Sequence, residues 1–277
     1  KEAALKHGIK TILQPEKIKT SEFLESLSKL KPDLIVTAAY GRIIPKTVLD
    51  LPEYGCINVH ASLLPKYRGA APIQWALNNG DEKTGITTMF MDEGMDTGDI
   101  LLTKEIAIEP DMNSQELFDR LKELGAETLL ETLKALECGT LKRIPQDHTR
   151  AVYAPMITKE TGLIDWNKSA REIHNLVRGV NPWPGAYTFY KSKRMKVWKT
   201  QVLDSSTGIA PENAADADFL KIAASQPPGK IIKITKQSII AATGDGCLKI
   251  TELQFDNGKR LSAGECGHNM DEGEVFG

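Results

Sequence analysis

The pattern of apolar residues changes near residue 140, and this change constrains the fold more than any other feature of the chain. Before it, segments with helical spacing alternate with short apolar runs at 34–39, 56–60 and 85–91. Short runs that are apolar on both faces and lie between helices are typical of strands buried in a parallel sheet. We therefore predict an α/β first domain over residues 1–140, built on a mostly parallel sheet.

The strongest helical signal in this first part lies at residues 113–137. Asn113 and Glu116 form a capping-box pattern at its start, and leucines then repeat with helical spacing. Gly139 marks its end. Gly125 lies in the middle of the segment and suggests a division into two helices.

From residue 156 onward the sequence predicts a small β-barrel. Residues 141–155 are mixed and polar, and we interpret them as a linker. Short alternating runs follow it, at 186–190, 195–203, 229–235, 238–243 and 247–255. Several short strands separated by turns rich in Gly, Asp and Asn are typical of a barrel, here over residues 156–277. The Ala- and Asp-rich stretch 205–226 is predicted to be a long loop.

Composition and charge exclude several classes of protein. With 41% hydrophobic and 26% charged residues among 277, the chain is globular rather than disordered or fibrous. Its net charge of −2 excludes a polycation that binds nucleic acid over its whole surface. No apolar run reaches the roughly 18 residues of a membrane helix, so no membrane association is expected.

The cysteines and histidines predict neither disulfides nor a metal site. The four cysteines are widely spaced and form no CxxC pair, which favours a reduced, cytoplasmic protein. The five histidines show none of the spacings typical of paired metal ligands. We therefore expect no metal.

Asn58 and His60 are the first candidate functional pair. They lie two residues apart in a predicted strand, so both side chains lie on the same face. An amide can stabilise a developing oxyanion, and an imidazole can donate or shuttle a proton at the same centre. The alternative is that the two side chains end the strand and bond to a loop.

The acidic loop at residues 92–99 is the second candidate. It follows a predicted strand, and loops at the carboxyl ends of parallel strands are where α/β sheets place their sites. A carboxylate there can pair with His60 and take up a proton. The alternative is a solvated acidic turn.

Two further stretches are candidate binding elements. Residues 62–65 follow the strand of His60 and offer one wall of a pocket for a flat ligand, with ordinary loop packing as the alternative. The basic stretch comprises Lys191, Lys193, Arg194 and Lys196, in a second domain with 16 basic and 14 acidic residues from Met156 onward. Such a strand can contact phosphates, with a solvated barrel strand as the alternative.

Three strings of the first domain resemble the formyltetrahydrofolate-dependent formyltransferases. They are residues 58–65, 68–74 and 91–99, and their order and separation fit the family as well as their letters do. Strings at 162–166, 177–186 and 196–199 are similar to the branch of this family that acts on methionyl-tRNA. The resemblance covers nearly the whole chain.

This resemblance implies a fold, a reaction and a set of site residues. The fold would be a Rossmann-like α/β domain, a linker and an OB-type β-barrel. The reaction would be formyl transfer from 10-formyltetrahydrofolate to the α-amino group of initiator methionyl-tRNA, for translation initiation in the cytoplasm. The implied catalytic residues are Asn58, His60 and Asp96; the folate-contacting residues are Ser62, Leu63, Leu64 and Pro65; and the basic stretch would contact tRNA.

The chain departs from the family at its N-terminus, and alternative functions remain open. Members of the family have a further segment before the position of Lys1, so we expect the first domain to be incomplete at its N-terminus. The chain is expected to be a monomer. The alternative functions are another folate-dependent formyltransferase, a formyltetrahydrofolate hydrolase, or a protein that binds tRNA or folate with impaired catalysis.

Overall fold

The computed structural model describes residues 1–203 and 214–277. Its helices are α1 Glu2–Lys6, α2 Ser21–Ser28, α3 Lys46–Leu49, α4 Pro72–Asn78, α5 Ser114–Glu137, α6 Ala170–Gly179, α7 Ala214–Ala223 and α8 Ala263–Cys266. Its strands are β1 Ile35–Ala38, β2 Cys56–His60, β3 Arg68–Gly69, β4 Lys83–Phe90, β5 Ile100–Ala107, β6 Tyr153–Ala154, β7 Ala186–Tyr190, β8 Lys193–Leu203, β9 Ile231–Ile234, β10 Ile239–Ala242, β11 Cys247–Phe255 and β12 Leu261–Ser262. The elements form an α/β part followed by an antiparallel β part, which confirms the predicted fold class.

The first sheet has the strand order β1-β2-β4-β5. The predicted parallel pairing is present between β1 and β2, whereas β2 with β4 and β4 with β5 are antiparallel. The short connection at residues 91–99 explains the second antiparallel pair, because a parallel neighbour needs a crossover of a dozen or more residues.

Helix α5 packs on this sheet as one continuous helix of 24 residues. Its predicted capping box is confirmed, with Asn113 Oδ1 accepting from the backbone N–H of Glu116 at 3.1 Å. The predicted division at Gly125 is wrong. A Cβ there would lie 3.3 Å from Val59 Cγ1 and 3.5 Å from Ile86 Cδ1, so this glycine lets the helix approach the sheet closely. Neither α5 nor any other described helix is long and apolar enough to cross a membrane.

Residues 141–155, interpreted above as a linker, are folded against the first sheet. Ile144 forms a bridge with Ile100 next to β5. Strand β6 pairs in parallel with β3, with Arg68 opposite Tyr153 and Gly69 opposite Ala154. This segment is therefore part of the scaffold around β3.

The second sheet follows the order β7-β8-β11-β10-β9, with β12 paired to β11, and every pair is antiparallel. The C-terminal residues connect the two ends of this path. Ile231 donates its N–H to the carbonyl of Glu274 at 2.8 Å, and Gly277 donates to the carbonyl of Phe189 at 3.0 Å. Phe276 is buried and stacks on Trp166 with ring centroids 5.1 Å apart. The sheet is thereby closed in the manner of a barrel.

The predicted loop at residues 205–226 is wrong for its second half, which contains α7; residues 204–213 lie outside the described residues. Phe219 and Leu220 of α7 pack against a buried cluster that includes Leu203 and Ile240. The large apolar residues of α7 are confined to positions 219, 220 and 222 in an Ala- and Asp-rich stretch, which is too short a periodic signal to predict this helix.

The two sheets are connected through a polar contact between α6 and the residues before α5. His174 Nε2 lies 3.3 Å from the carbonyl of Pro110, and its Nδ1 lies 3.0 Å from Thr200 Oγ1. The Ser114 hydroxyl donates to the carbonyl of Asn181 at 2.6 Å. Both His174 and Ser114 are buried, so these bonds are shielded from water.

Candidate active site

Strand β2 places Asn58 and His60 on one face, as their spacing predicts. Val59, between them, faces Gly125 of α5 on the other side. Thr37, which is opposite Asn58 in the β1–β2 register, donates its hydroxyl proton to Asn58 Oδ1 at 2.9 Å. The Asn58 amide nitrogen has no hydrogen-bond partner among residues 1–203 and 214–277, so it is free to donate to a ligand.

The His60 ring is oriented by the backbone of Tyr67. His60 Nε2 lies 2.9 Å from the Tyr67 carbonyl oxygen, and because a carbonyl only accepts, Nε2 carries a proton. Tyr67 has a left-handed backbone with φ of 62° and is itself buried, with Asn79 donating to its hydroxyl at 2.9 Å. The other ring nitrogen of His60, Nδ1, is therefore the one presented to the candidate site.

Asp96 is brought to this nitrogen. Its Oδ2 lies 3.8 Å from His60 Nδ1 and accepts the N–H of Gly69 at 2.8 Å. The reason differs from the one predicted, because β4 runs antiparallel to β2 and its end, Phe90, is opposite Ile57 at the start of β2. The loop therefore starts at the far end of β2 and folds back to reach His60.

Two residues that the sequence analysis did not assign to the site hold this loop. Gln146 Nε2 donates to the carbonyl oxygens of Asp96 at 2.9 Å and Gly98 at 2.7 Å. Its Oε1 accepts from Arg68 Nη2 at 2.6 Å. Arg68 begins the string 68–74 that carries the family resemblance, but that resemblance assigned it no role. Gln146 lies in a polar stretch without periodicity, so no local signal marks it.

The residues predicted to contact folate divide into two pairs. Ser62 and Leu64 are buried against β4, where the Thr87 hydroxyl donates to the Ser62 carbonyl at 2.7 Å and accepts the Leu64 N–H at 3.2 Å. Leu63 and Pro65 are half-buried. These two side chains are the ones left to line a pocket, and a folate-contacting role for the four stays a prediction.

The basic stretch lies in the second sheet, apart from the catalytic candidates, and most of it has partners within the chain. Lys191 and Ser192 have φ of 48° and 64°, so Lys191 lies in the turn before β8 rather than in a strand. Its ammonium lies 2.6 Å from Asp271 Oδ2, and the pKa of Lys191 is raised chiefly by this hydrogen bond. Arg194 pairs with Asp256 at 3.1 Å.

The other two lysines differ from each other. Lys196 donates to the carbonyl of Pro184 at 3.0 Å and lies over the ring of Trp198. Lys193 is exposed, and its ammonium forms no ion pair or hydrogen bond with the part of the chain that the structure describes. Of the four, Lys193 has the ammonium most available to an external phosphate.

A cavity of about 490 Å³ opens at the amino end of β2, lined by residues that include Lys46, Tyr54, Cys56 and Asp92. Burial raises the pKa of the Cys56 thiol to about 11, so this cysteine is protonated at neutral pH and unsuited to nucleophilic attack. Among the described residues, no three His, Cys, Asp or Glu side chains are grouped so that they could hold a metal ion.

The fold agrees with what comparison with known proteins finds. The formyl transferase family model matches residues 2–133, and the model of the formyl transferase C-terminal domain matches residues 156–269. The chain therefore belongs to the formyl transferase family.

Individual relatives of known name give a more specific comparison than the family models. It is 54% identical to the methionyl-tRNA formyltransferase of Acetivibrio thermocellus and 52% identical to that of Ruminiclostridium cellulolyticum, each over 100% of this chain and 84% of the relative. Among solved structures, it resembles HypX from Aquifex aeolicus in complex with tetrahydrofolic acid, with a TM-score of 0.61 and 20% identity over 87% of this chain and 39% of that one.

Proposed function

We propose that this protein transfers the formyl group of 10-formyltetrahydrofolate to the α-amino group of methionyl-initiator tRNA. One observation carries the proposal: Asp96 Oδ2 lies 3.8 Å from His60 Nδ1, on the same side of β2 as Asn58. An amide donor, an imidazole and a carboxylate around one point are the groups that acyl transfer requires. The two relatives named above are methionyl-tRNA formyltransferases, which supports methionyl-tRNA as the acceptor.

The free amide of Asn58 makes the site fit a formyl group. Because Thr37 occupies Oδ1, the NH₂ group is the end of the carboxamide that points to a ligand. The folate supplies an activated formyl group, whose oxygen gains negative charge when an amine attacks the carbon. Asn58 donates a hydrogen bond to that oxygen, and such a donor is typically worth 10²–10³ in kcat.

His60 and Asp96 handle the proton of the attacking amine. With Nε2 bonded to the Tyr67 carbonyl, a second proton on Nδ1 makes the ring a cation that faces both Asp96 and the developing oxyanion. Asp96 stabilises this cation and receives the proton that the amine loses, directly or through one water. The proton then passes to the departing folate nitrogen, so no covalent enzyme intermediate is required.

The second sheet supplies the tRNA contact in this proposal. The basic stretch lies at the β7–β8 turn and along β8. Within it, the Lys193 side chain is exposed and its ammonium is unpaired among the described residues. Such lysines and arginines neutralise phosphates without reading sequence. Leu63 and Pro65, the half-buried pair after β2, are the side chains that we assign to the folate ring.

A transfer assay with radiolabelled formyl donor tests the proposal. Charged initiator methionyl-tRNA, an aminosugar nucleotide and water are offered as acceptors. We expect label on methionyl-tRNA, at a rate that falls by roughly 10²–10⁴ when His60 is replaced by alanine. Label released to water or bound to the aminosugar would instead identify a hydrolase or a sugar formyltransferase, and no transfer at all would overturn an enzymatic role.

A further inference from the structure

We infer that Gln146, in the segment between the two sheets, is a positioning residue for the catalytic carboxylate. It holds the loop that carries Asp96 against β3, so that the carboxylate stays beside His60. The inference rests on the proposed role of Asp96 and deepens it. Three sets of contacts carry the inference.

The carboxamide of Gln146 uses its whole hydrogen-bonding capacity. Nε2 donates one proton to the carbonyl of Asp96 and the other to the carbonyl of Gly98, at 2.9 and 2.7 Å. Oε1 accepts from Arg68 Nη2 at 2.6 Å and from Nε at 3.1 Å. An amide has two donor protons and an oxygen with two lone pairs, so every one is matched. With 6% of its surface exposed, Gln146 makes these bonds shielded from water.

Arg68 needs Gln146 for its own burial. Its side chain is 2% exposed and makes no ion pair with any residue in the two described ranges. Gln146 Oε1 and His148 Nδ1, at 3.2 Å from Nη2, accept its protons instead. A buried guanidinium without acceptors is strongly destabilising, so this contact fixes where the end of β3 lies.

The end of β3 in turn binds the carboxylate. Gly69, next to Arg68, donates its N–H to Asp96 Oδ2 at 2.8 Å. It has φ of 118°, and a Cβ there would lie 2.7 Å from the carbonyl oxygen of Ala154, so β3 is pressed against β6. Gln146 thus contacts both partners of this bond, the strand that donates and the loop that accepts.

The backbone of Asp96 explains why the loop needs such support. Its φ of 54° lies in the left-handed region, which is unfavourable for a non-glycine residue unless its surroundings hold it there. Gln146 bonds to the carbonyl of this same residue. Loss of that bond lets the loop relax, and a carboxylate displaced by about 1 Å is enough to lower a rate substantially.

Two substitutions separate positioning from packing. Gln146→Glu keeps the acceptor for Arg68 but removes both donors and places negative charge against two carbonyl oxygens. Gln146→Met keeps the length of the side chain and removes all four bonds. Thr132→Val is the matched control, because it removes a buried hydrogen bond, 2.8 Å to Thr88 Oγ1, in the same domain but between α5 and β4.

The experiment measures kcat and KM for formyl transfer in full-length protein, and the hydrogen-exchange rate of the Gly69 amide by NMR. Both Gln146 variants should lower kcat by roughly 10- to 100-fold with less than a threefold change in KM for methionyl-tRNA. The Gly69 amide should exchange at least about tenfold faster, because its acceptor moves away. Thr132→Val should lower Tm and leave kcat and the exchange rate of the Gly69 amide unchanged.

Other results would overturn the inference. If the Gly69 amide exchanged at the wild-type rate in Gln146→Glu, the position of the Asp96 carboxylate would not depend on Gln146. If the Gly69 amide exchanged as fast in Thr132→Val as in the Gln146 variants, the effect would not be specific to Gln146. If neither Gln146 variant folds, its role is structural and the inference also fails. If wild-type protein transfers no formyl group, the proposed function is wrong, while the Gly69 amide still decides whether Gln146 positions Asp96.

Discussion

At the scale of single residues, the candidate site depends on which atoms carry protons. The Tyr67 carbonyl requires a proton on His60 Nε2, and the Thr37 hydroxyl turns the Asn58 carboxamide so that its NH₂ group is free. The residue types Asn58, His60 and Asp96 could be chosen from the sequence through spacing and resemblance. Thr37 and Tyr67 could not, because an ordinary threonine and a backbone carbonyl carry no sequence signal.

Replacing each of the three candidate catalytic residues tests this arrangement. Asn58→Ala, His60→Ala and Asp96→Ala should each lower kcat by roughly 10²–10⁴, because each removes a donor, a proton carrier or its counter-charge. Steady-state kinetics on purified protein, with circular dichroism to confirm folding, measure the effect. Near-normal turnover in a folded His60→Ala variant would contradict the assignment.

The lysines of the basic stretch should differ in their effect on tRNA binding. Lys193→Ala should weaken binding and reduce the slope of log affinity against log salt by about one, because it removes a free ammonium from a phosphate contact. Lys191→Ala should have a smaller effect, since Asp271 and Glu274 already neutralise that charge. Lys196→Ala should also weaken tRNA binding, while folate affinity stays unchanged in all three.

The measurement is the dissociation constant for initiator tRNA at several salt concentrations, with folate binding as the internal control. Equal salt slopes for wild type and Lys193→Ala would remove Lys193 from the interface. A larger loss for Lys191→Ala than for Lys193→Ala would mean that Lys191 leaves its carboxylates to bind tRNA.

At the scale of elements, local periodicity predicted helix α5 and the strands β1, β2, β4 and β7 to β11. The bounds of β7 and β11 follow from alternation, and the capping box of α5 follows from Asn three residues before Glu. Where prediction failed, the missing information was a contact with another element. Helix α7 depends on the cluster it covers, and the antiparallel direction of β4 depends on the path that the chain takes after β2.

Gly125 offers a test of the contact between α5 and the sheet. Gly125→Val should destabilise the fold by about 1–3 kcal/mol, because the added atoms enter the space of Val59 and Ile86. Since Val59 lies between Asn58 and His60, the variant should also lower kcat. Thermal or urea unfolding measures the first effect and steady-state kinetics the second.

Ala126→Val is the control for this change, because it places the same valine side chain one residue further along the same helix, at an exposed position. It should change stability by less than about 1 kcal/mol, through helix propensity alone. Equal destabilisation by the two variants would show that the helix, and not its contact with β2, responds to the substitution.

At the scale of the whole molecule, the two sheets are joined by a contact that should depend on pH. Burial lowers the pKa of His174 below its usual 6.5; Arg178 and Arg171 lower it further, and the Pro110 carbonyl and Asp111 act in the opposite direction. Because the unfolded state binds the proton more tightly, the stability from neutral His174 is complete above about pH 6.5. It is lost as the pH falls through the lowered value.

His174→Gln should therefore flatten the dependence of stability on pH below 6.5. Glutamine can still bond to Thr200 but cannot titrate, so only the slope contributed by the imidazole disappears. The free energy of unfolding from urea titrations between pH 5 and pH 8 measures this. Parallel curves for wild type and variant would mean that His174 does not couple folding to protons.

The sequence by itself determined the class of fold, the change of apolar pattern near residue 140, the approximate bounds of α5 and of eight strands, and the chemical types of the candidate site residues. These are properties of short segments, set by side-chain periodicity, capping and turn residues within a few positions of each other. Three features were decided by the tertiary structure alone. They are the end of β2 that the acidic loop reaches, the atoms of Asn58 and His60 that stay free, and the link that Gln146 forms between Arg68 and Asp96. The reason is physical: a hydrogen bond between residues 50 or 78 positions apart in the chain depends on how the elements pack, and no local pattern encodes that packing.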